Sequence, residues 1–438
     1  MKDLRQACTL SNLCRLFALL LVAWQPFPGE YRVPLVGSAL LGVALSLRGE
    51  FPAVAEPAKR LGMLLLCLVI PGLLSIPTSL APSKSWGEIA SVALVGLAGL
   101  SVLYGLRNRT DHQWLQTGLV VVIAAWISDG LLQAFTGADV FGITPKAEGM
   151  INGPFTTNGI FGIIVAVLTP LVLWEPLKHR SRWGMALLTG VVIIVILSGQ
   201  RNNVLLLVLG LIALSSLWGR RARVIGAAAL IAAVIITYPF APTLQKRVSW
   251  MSTSSAEMAA SLQRLQTDPA DTQASKRLFE SLNRFTSDRG FLIDAGLKMI
   301  QDRPLTGVGL NAFRPAYPLY AQRTPHPHRD KPTHAHNIYL ELTAETGLIG
   351  LAGLLLAIGL GWRWFLVASP ERQALAAPYG ATLVVMLFPI TTHTVLLAAF
   401  YFSLLLMVLG GYLSALFSPD ALDSSGLIMA QAEVSSEA

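Results

Sequence analysis

Thr333-His334-Ala335-His336-Asn337-Ile338-Tyr339-Leu340-Glu341 is the stretch at which the chain passes from a long polar segment into an apolar helix. Soluble domains carry about 25% charged residues. This chain of 438 residues has 13% charged and 53% hydrophobic residues, and its apolar runs recur along most of its length. The fold class read from this is an all-α polytopic membrane protein.

Working outward from that stretch, apolar runs bounded by Pro, Gly and charges predict spans near 10–27, 33–47, 61–76, 87–106, 116–135, 158–174, 183–199, 203–218 and 222–239 before it. After it, spans are expected near 338–362, 375–392 and 396–417, which makes about 12 transmembrane helices in all. Lys2 and Arg5 precede the first run, but no small-x-small cleavage site follows, so the first helix is expected to be retained.

The basic residues test this layout. With the amino terminus inside, Arg48, Lys59, Arg60, Arg107, Arg109, Lys178, Arg220, Arg221, Arg363 and Arg372 all fall on the inner side. The short outer loops keep Arg32, Lys84, Lys146 and Arg201. The net charge of +8 is therefore a topology signal, and nucleic acid is not an expected partner. Cys8, Cys14 and Cys67 lie in or near the first three runs, with neither a disulfide framework nor zinc spacing.

The predicted organisation is membrane helices over 1–239, an outer loop domain over 240–337, further membrane helices over 338–417 and an acidic, disordered cytoplasmic tail over 418–438. A long loop calls for structure of its own. Apolar residues at three- and four-residue spacing predict short amphipathic helices over 255–266, 274–285 and 288–302. Pro315, Pro318, Pro325, Pro327 and Pro332 then predict an irregular approach to the histidines.

His336 is the first candidate for chemistry, because a histidine titrates near neutral pH and can take a proton from a substrate hydroxyl if it is aimed. Asn337 or Tyr339 would supply the orienting bond, and His334 would order the loop. An interfacial histidine that only bonds a backbone carbonyl fits the same residues. His326 and His328 read as bystanders. Glu341 and Glu345, one turn apart, are expected to pair with arginines, and His-x-His spacing alone is weak support for a metal. Arg201, in a tight outer turn, suits either a phosphate or snorkelling to water. Arg264, Arg289 and Arg323 add donors to a loop with 13 Lys and Arg against eight Asp and Glu, a balance that suits an anionic ligand. Asp129 reads as an interhelical hydrogen bond.

Three segments carry a resemblance. They are Ser198-Gly199-Gln200-Arg201; Asp288-Arg289 through Arg303-Pro304-Leu305-Thr306-Gly307-Val308-Gly309-Leu310-Asn311-Ala312-Phe313; and His334-Ala335-His336-Asn337 through Glu341 with Thr346-Gly347-Leu348-Ile349-Gly350. Together they resemble the O-antigen ligases, a branch of a superfamily shared with O-antigen polymerases and oligosaccharyltransferases. The resemblance implies a multi-pass enzyme of the bacterial inner membrane with one large, partly helical periplasmic loop. It implies transfer of polysaccharide from undecaprenyl diphosphate to lipid A-core oligosaccharide, with inversion and without metal or cofactor. In that reading His336 is the general base and Arg201 and Arg289 hold the diphosphate, while Arg264, Arg323, His334, Asn337 and Tyr339 join them in binding substrate. The absence of Walker-type and dinucleotide-binding glycine patterns agrees with a donor activated on lipid. A polymerase, a protein oligosaccharyltransferase and a transporter of lipid-linked glycans are the alternatives.

Overall fold

A computed structural model of the chain describes residues 9–27, 32–145, 150–156, 160–179, 181–215, 238–286, 289–321, 334–389, 396, 397 and 399–422, with isolated positions between 227 and 236. Among the described residues the protein is all-helical, with no β-strand. The first helices are α1 (Leu10–Ala23), α2 (Arg32–Leu47), α3 (Ala55–Ser75), α4 (Pro82–Gly105), α5 (Arg109–Thr136), α6 (Ile160–Lys178), α7 (Arg182–Leu197) and α8 (Arg201–Leu214). Then come α9 (Pro242–Thr267), α10 (Thr272–Phe285), α11 (Gly290–Asp302), α12 (Phe313–Tyr320), α13 (Ile338–Val367), α14 (Pro370–Met386) and α15 (Ala399–Phe417).

A helix stands on each expected span except the one near 222–239, which lies outside the described residues apart from isolated positions. By length and composition, six helices among the described residues are apolar and long enough to cross a membrane, and four apolar ones, α1, α2, α7 and α8, are shorter. In apolar surroundings every backbone polar group must be satisfied within the segment, which is why these runs are helices. α6 and α15 are apolar all round and are buried over most of their length, so they form the centre of the bundle. Elsewhere large side chains such as Leu66, Ile70, Leu355 and Leu356 are exposed, an outer surface suited to hydrocarbon.

The segment before α13 is more helical than expected. α9 begins at Pro242 rather than near 255, with proline in the first position where its missing amide costs nothing. α9 and α10 pack as a hairpin, tied by the Arg284–Glu257 ion pair and opened by Asp271, which caps α10 through the amides of Gln273 and Ala274. α12 replaces part of the irregular approach: Pro315 sits in its first turn, where no donor is required. The predicted tail also starts differently. Ser418 is buried and donates to the Arg107 carbonyl at 2.8 Å, while residues 423–438 lie outside the described residues.

One interruption organises the region. α13 breaks at Gly347 (φ 68°, ψ −168°), which releases carbonyls that would otherwise bond within the helix. The Pro304–Phe313 strip takes them: Val308 N donates to Ala344 O at 2.9 Å and Gly309 N to Glu345 O at 2.8 Å, while Leu348 N donates to Pro304 O at 2.8 Å. Leu310 fastens the same strip to the membrane helices, its amide donating to Ser75 Oγ at 3.1 Å and its carbonyl accepting from Ser85 Oγ at 2.7 Å. Ala295, Met299, Phe313, Tyr317 and Ala335 close a small second core above it.

Candidate functional site

The His334–Asn337 tetrapeptide is held from both sides. Asn337 caps α13, its Oδ1 accepting from Leu340 N at 3.0 Å and its Nδ2 donating to Pro389 O at 2.7 Å. Tyr339 Oη donates to Leu387 O at 2.6 Å. These bonds fasten α13 to the end of α14, so the two side chains anchor the helix start rather than orient His336. Glu341 accepts from Ala335 N at 2.8 Å, and the Ala335 methyl is buried in the small core. With Ala335 pinned inward, the rings of His334 and His336 project together, their centroids 4.0 Å apart. His336 has φ +57°, a left-handed conformation that costs a non-glycine residue about 1–3 kcal/mol and is retained where surroundings impose it.

Glu345 accepts from Asn311 N and Phe313 N, each at 3.0 Å. The two glutamates therefore serve backbone amides, a correction to the expected pairing with arginines. The physical reason is the broken helix: its irregular neighbours bring amides that have no other acceptor. Asp129 likewise accepts from Val140 N at 2.8 Å, closing the loop after α5 instead of joining two helices.

The arginines come from three separate elements. The Ser198-Gly199-Gln200 turn needs glycine at its centre, where φ is +67° and a Cβ would meet Met150 Cγ at 3.0 Å. Asn203 Nδ2 donates to Ser198 Oγ at 2.9 Å and stiffens the same turn. Arg201, the first residue of α8, donates to the carbonyls of Phe285 at 3.0 Å and Arg247 at 3.5 Å. Arg247, on α9, donates to the Gln200 side chain. Arg289 is the cap residue of α11. Burial, then the charges of Arg201 and Arg247, push the Arg289 guanidinium down to about 10, which leaves it cationic at neutral pH. Burial, then Arg289, push His334 down to about 4, which keeps that imidazole neutral. Its Nε2 is buried with no hydrogen-bond partner among the described residues.

The fold thus sets Arg289 within electrostatic reach of both Arg201 and His334, and His334 against His336 at the start of α13, which Asn337 and Tyr339 anchor. Arg264 is not brought there: it stands exposed on the last turn of α9, about 25 Å along the helix axis from Arg247. Arg323, His326 and His328 lie outside the described residues. Arg247 is the residue that sequence reading missed. Its signal was Pro242, a helix start that places Arg247 in the second turn, next to Arg201. Below the site an apolar cavity of about 720 Å³ runs between α3, α13, α14 and α15, lined by Tyr339, Leu387 and Pro389 at one end and Trp362 and Tyr412 at the other.

Residues 184–355 match the family model described as O-antigen ligase. The resemblance read from the three segments is borne out over that stretch, which includes Arg201, Arg247, Arg289, His334, His336 and the break at Gly347. Members of the O-antigen ligase family are glycosyltransferase-like enzymes, ligases or polymerases, acting on lipid-linked glycans in a membrane setting. No curated protein matches the chain.

Proposed function

We propose that the protein is an O-antigen ligase of the bacterial inner membrane. It moves polysaccharide from undecaprenyl diphosphate to a hydroxyl of lipid A-core oligosaccharide on the periplasmic side. The observation that carries this reading is the succession of cationic Arg201, Arg289 and the His334–His336 pair, each within electrostatic reach or ring contact of the next, at the head of an apolar helix whose first turn lines a cavity suited to an acyl or isoprenyl chain.

In the step proposed, His336 takes the proton of the acceptor hydroxyl as its oxygen attacks the anomeric carbon. The bond from that carbon to the phosphate oxygen breaks, and its electron pair leaves on the diphosphate, where Arg201 and Arg289 bind the charge. One displacement inverts the anomeric centre. Neutral His334 lies against His336 without competing with it for a positive charge, which is consistent with a base that must start unprotonated. The expected twelve-span layout, with the site on the outer face, agrees with the distribution of Lys and Arg.

The test is lipopolysaccharide gel analysis of a deletion strain complemented with wild type or with His336→Ala. Ligase loss leaves bare core, with long polymer retained on the lipid carrier. Core capped by a single repeat unit would assign the chain to a polymerase instead, and a normal ladder from His336→Ala would remove the general base.

A further inference from the structure

Arg247 carries an inference that rests on the glycosyl-transfer reading and deepens it. Three guanidinium groups from α8, α9 and the start of α11 share one half-buried region. Arg201 Nη1 reaches the Arg247 carbonyl at 3.5 Å, and the Arg247 side chain is held by the neutral amide of Gln200, itself buried. Arg247 makes no ion pair among the described residues. Gathering like charges away from water destabilises a fold: burial lowers the proton affinity of all three, and after it the charge of Arg247 acts on Arg201 and the charges of Arg201 and Arg247 on Arg289. An anion bound between them removes that cost.

The charges of the substrate say which anion. A lipid diphosphate esterified to a glycan at its far end carries two negative charges. When the glycosidic bond breaks, the electron pair stays on the terminal phosphate oxygen and a third charge appears. We propose that Arg247 is the third member of the anion clamp, matched to the charge that develops on the departing diphosphate. Gln200 sets its position without cancelling its charge. An interaction that strengthens as the bond breaks raises turnover more than it tightens donor binding.

The test uses the purified full-length protein with donor and acceptor lipids. Arg247→Gln keeps a hydrogen-bonding amide beside Gln200 and removes the charge. Turnover is expected to fall about a hundredfold, with the donor KM within about threefold of wild type. The rise in unfolding temperature produced by inorganic pyrophosphate should shrink in the same variant. Unchanged turnover with an unchanged pyrophosphate effect overturns the proposal, and so does a change confined to KM. Arg201→Gln and Arg289→Gln, assayed alongside, separate the two readings. If they too retain turnover the transfer site itself is misplaced, whereas loss in these two alone removes only Arg247. Should Arg247→Gln fail to assemble, the wild type decides: it is expected to bind pyrophosphate about tenfold or more tighter than dimethyl diphosphate, a dianion, and equal binding overturns the third cation.

Discussion

A side chain at Gly347 would bring its first carbon within 2.1 Å of the carbonyl carbon of Leu305. The break in α13 and the Pro304–Phe313 strip are thus one object, each shaped to the other's backbone. Gly347 also has φ 68° and ψ −168°, a region open to glycine and closed to other residues. Gly347→Ala therefore meets both a clash and a forbidden conformation. The expected cost is about 3 kcal/mol or more, read as a lower unfolding temperature in detergent or loss of assembled protein. Normal unfolding by Gly347→Ala would mean that the strip and the helix are not docked as described.

His336 separates backbone strain from chemistry. His336→Gly and His336→Ala both remove the imidazole and should lower transfer about a hundredfold or more. Glycine adopts φ +57° without strain and alanine does not, so the glycine variant should be the more stable of the two by about 1 kcal/mol. Thermal unfolding of the pair, compared with their shared loss of activity, checks both statements.

His334 makes stability depend on pH with a definite sign. Its pKa falls from 6.5 in the unfolded chain to about 4 in the fold, through burial and then Arg289. Between these values the unfolded chain binds a proton that the native site refuses. Its contribution is complete above about pH 6.5, declines as pH falls toward about 4, and is flat below, for a total of up to about 3 kcal/mol. His334→Gln should flatten this part of the profile of unfolding temperature between pH 7 and pH 4. An unaltered profile would show that His334 is as open to protons in the fold as outside it.

Arg264 and Arg289 both belong to the polar segment, yet only Arg289 lies beside His334. Arg264→Ala is expected to leave transfer within about twofold of wild type, as for a surface substitution away from the site. Arg289→Ala should lower it about a hundredfold or more. A kinetic comparison of the purified variants distinguishes them, and a large loss from Arg264→Ala would place the far end of α9 in contact with substrate.

The sequence by itself determined the helical membrane character, because long apolar runs have few ways to satisfy their amides. It also pointed to Arg201 and His336, since a titratable or cationic group at the edge of an apolar run is conspicuous in one dimension, whereas Arg289, one of many loop cations, was singled out only by the resemblance. The tertiary structure decided what those groups meet. Glu341 and Glu345 looked like partners for arginine, yet they hold the amides of Ala335, Asn311 and Phe313, because a helix broken at Gly347 draws an irregular strip against it. Arg247 looked like one of 13 loop cations and becomes a neighbour of Arg201 only when α9 starts at Pro242 and folds back across α8. Periodicity and charge are local and can be read along the chain. The acceptor for a backbone amide, or the company a guanidinium keeps, is set by contacts between residues far apart in sequence, which only the packed structure supplies.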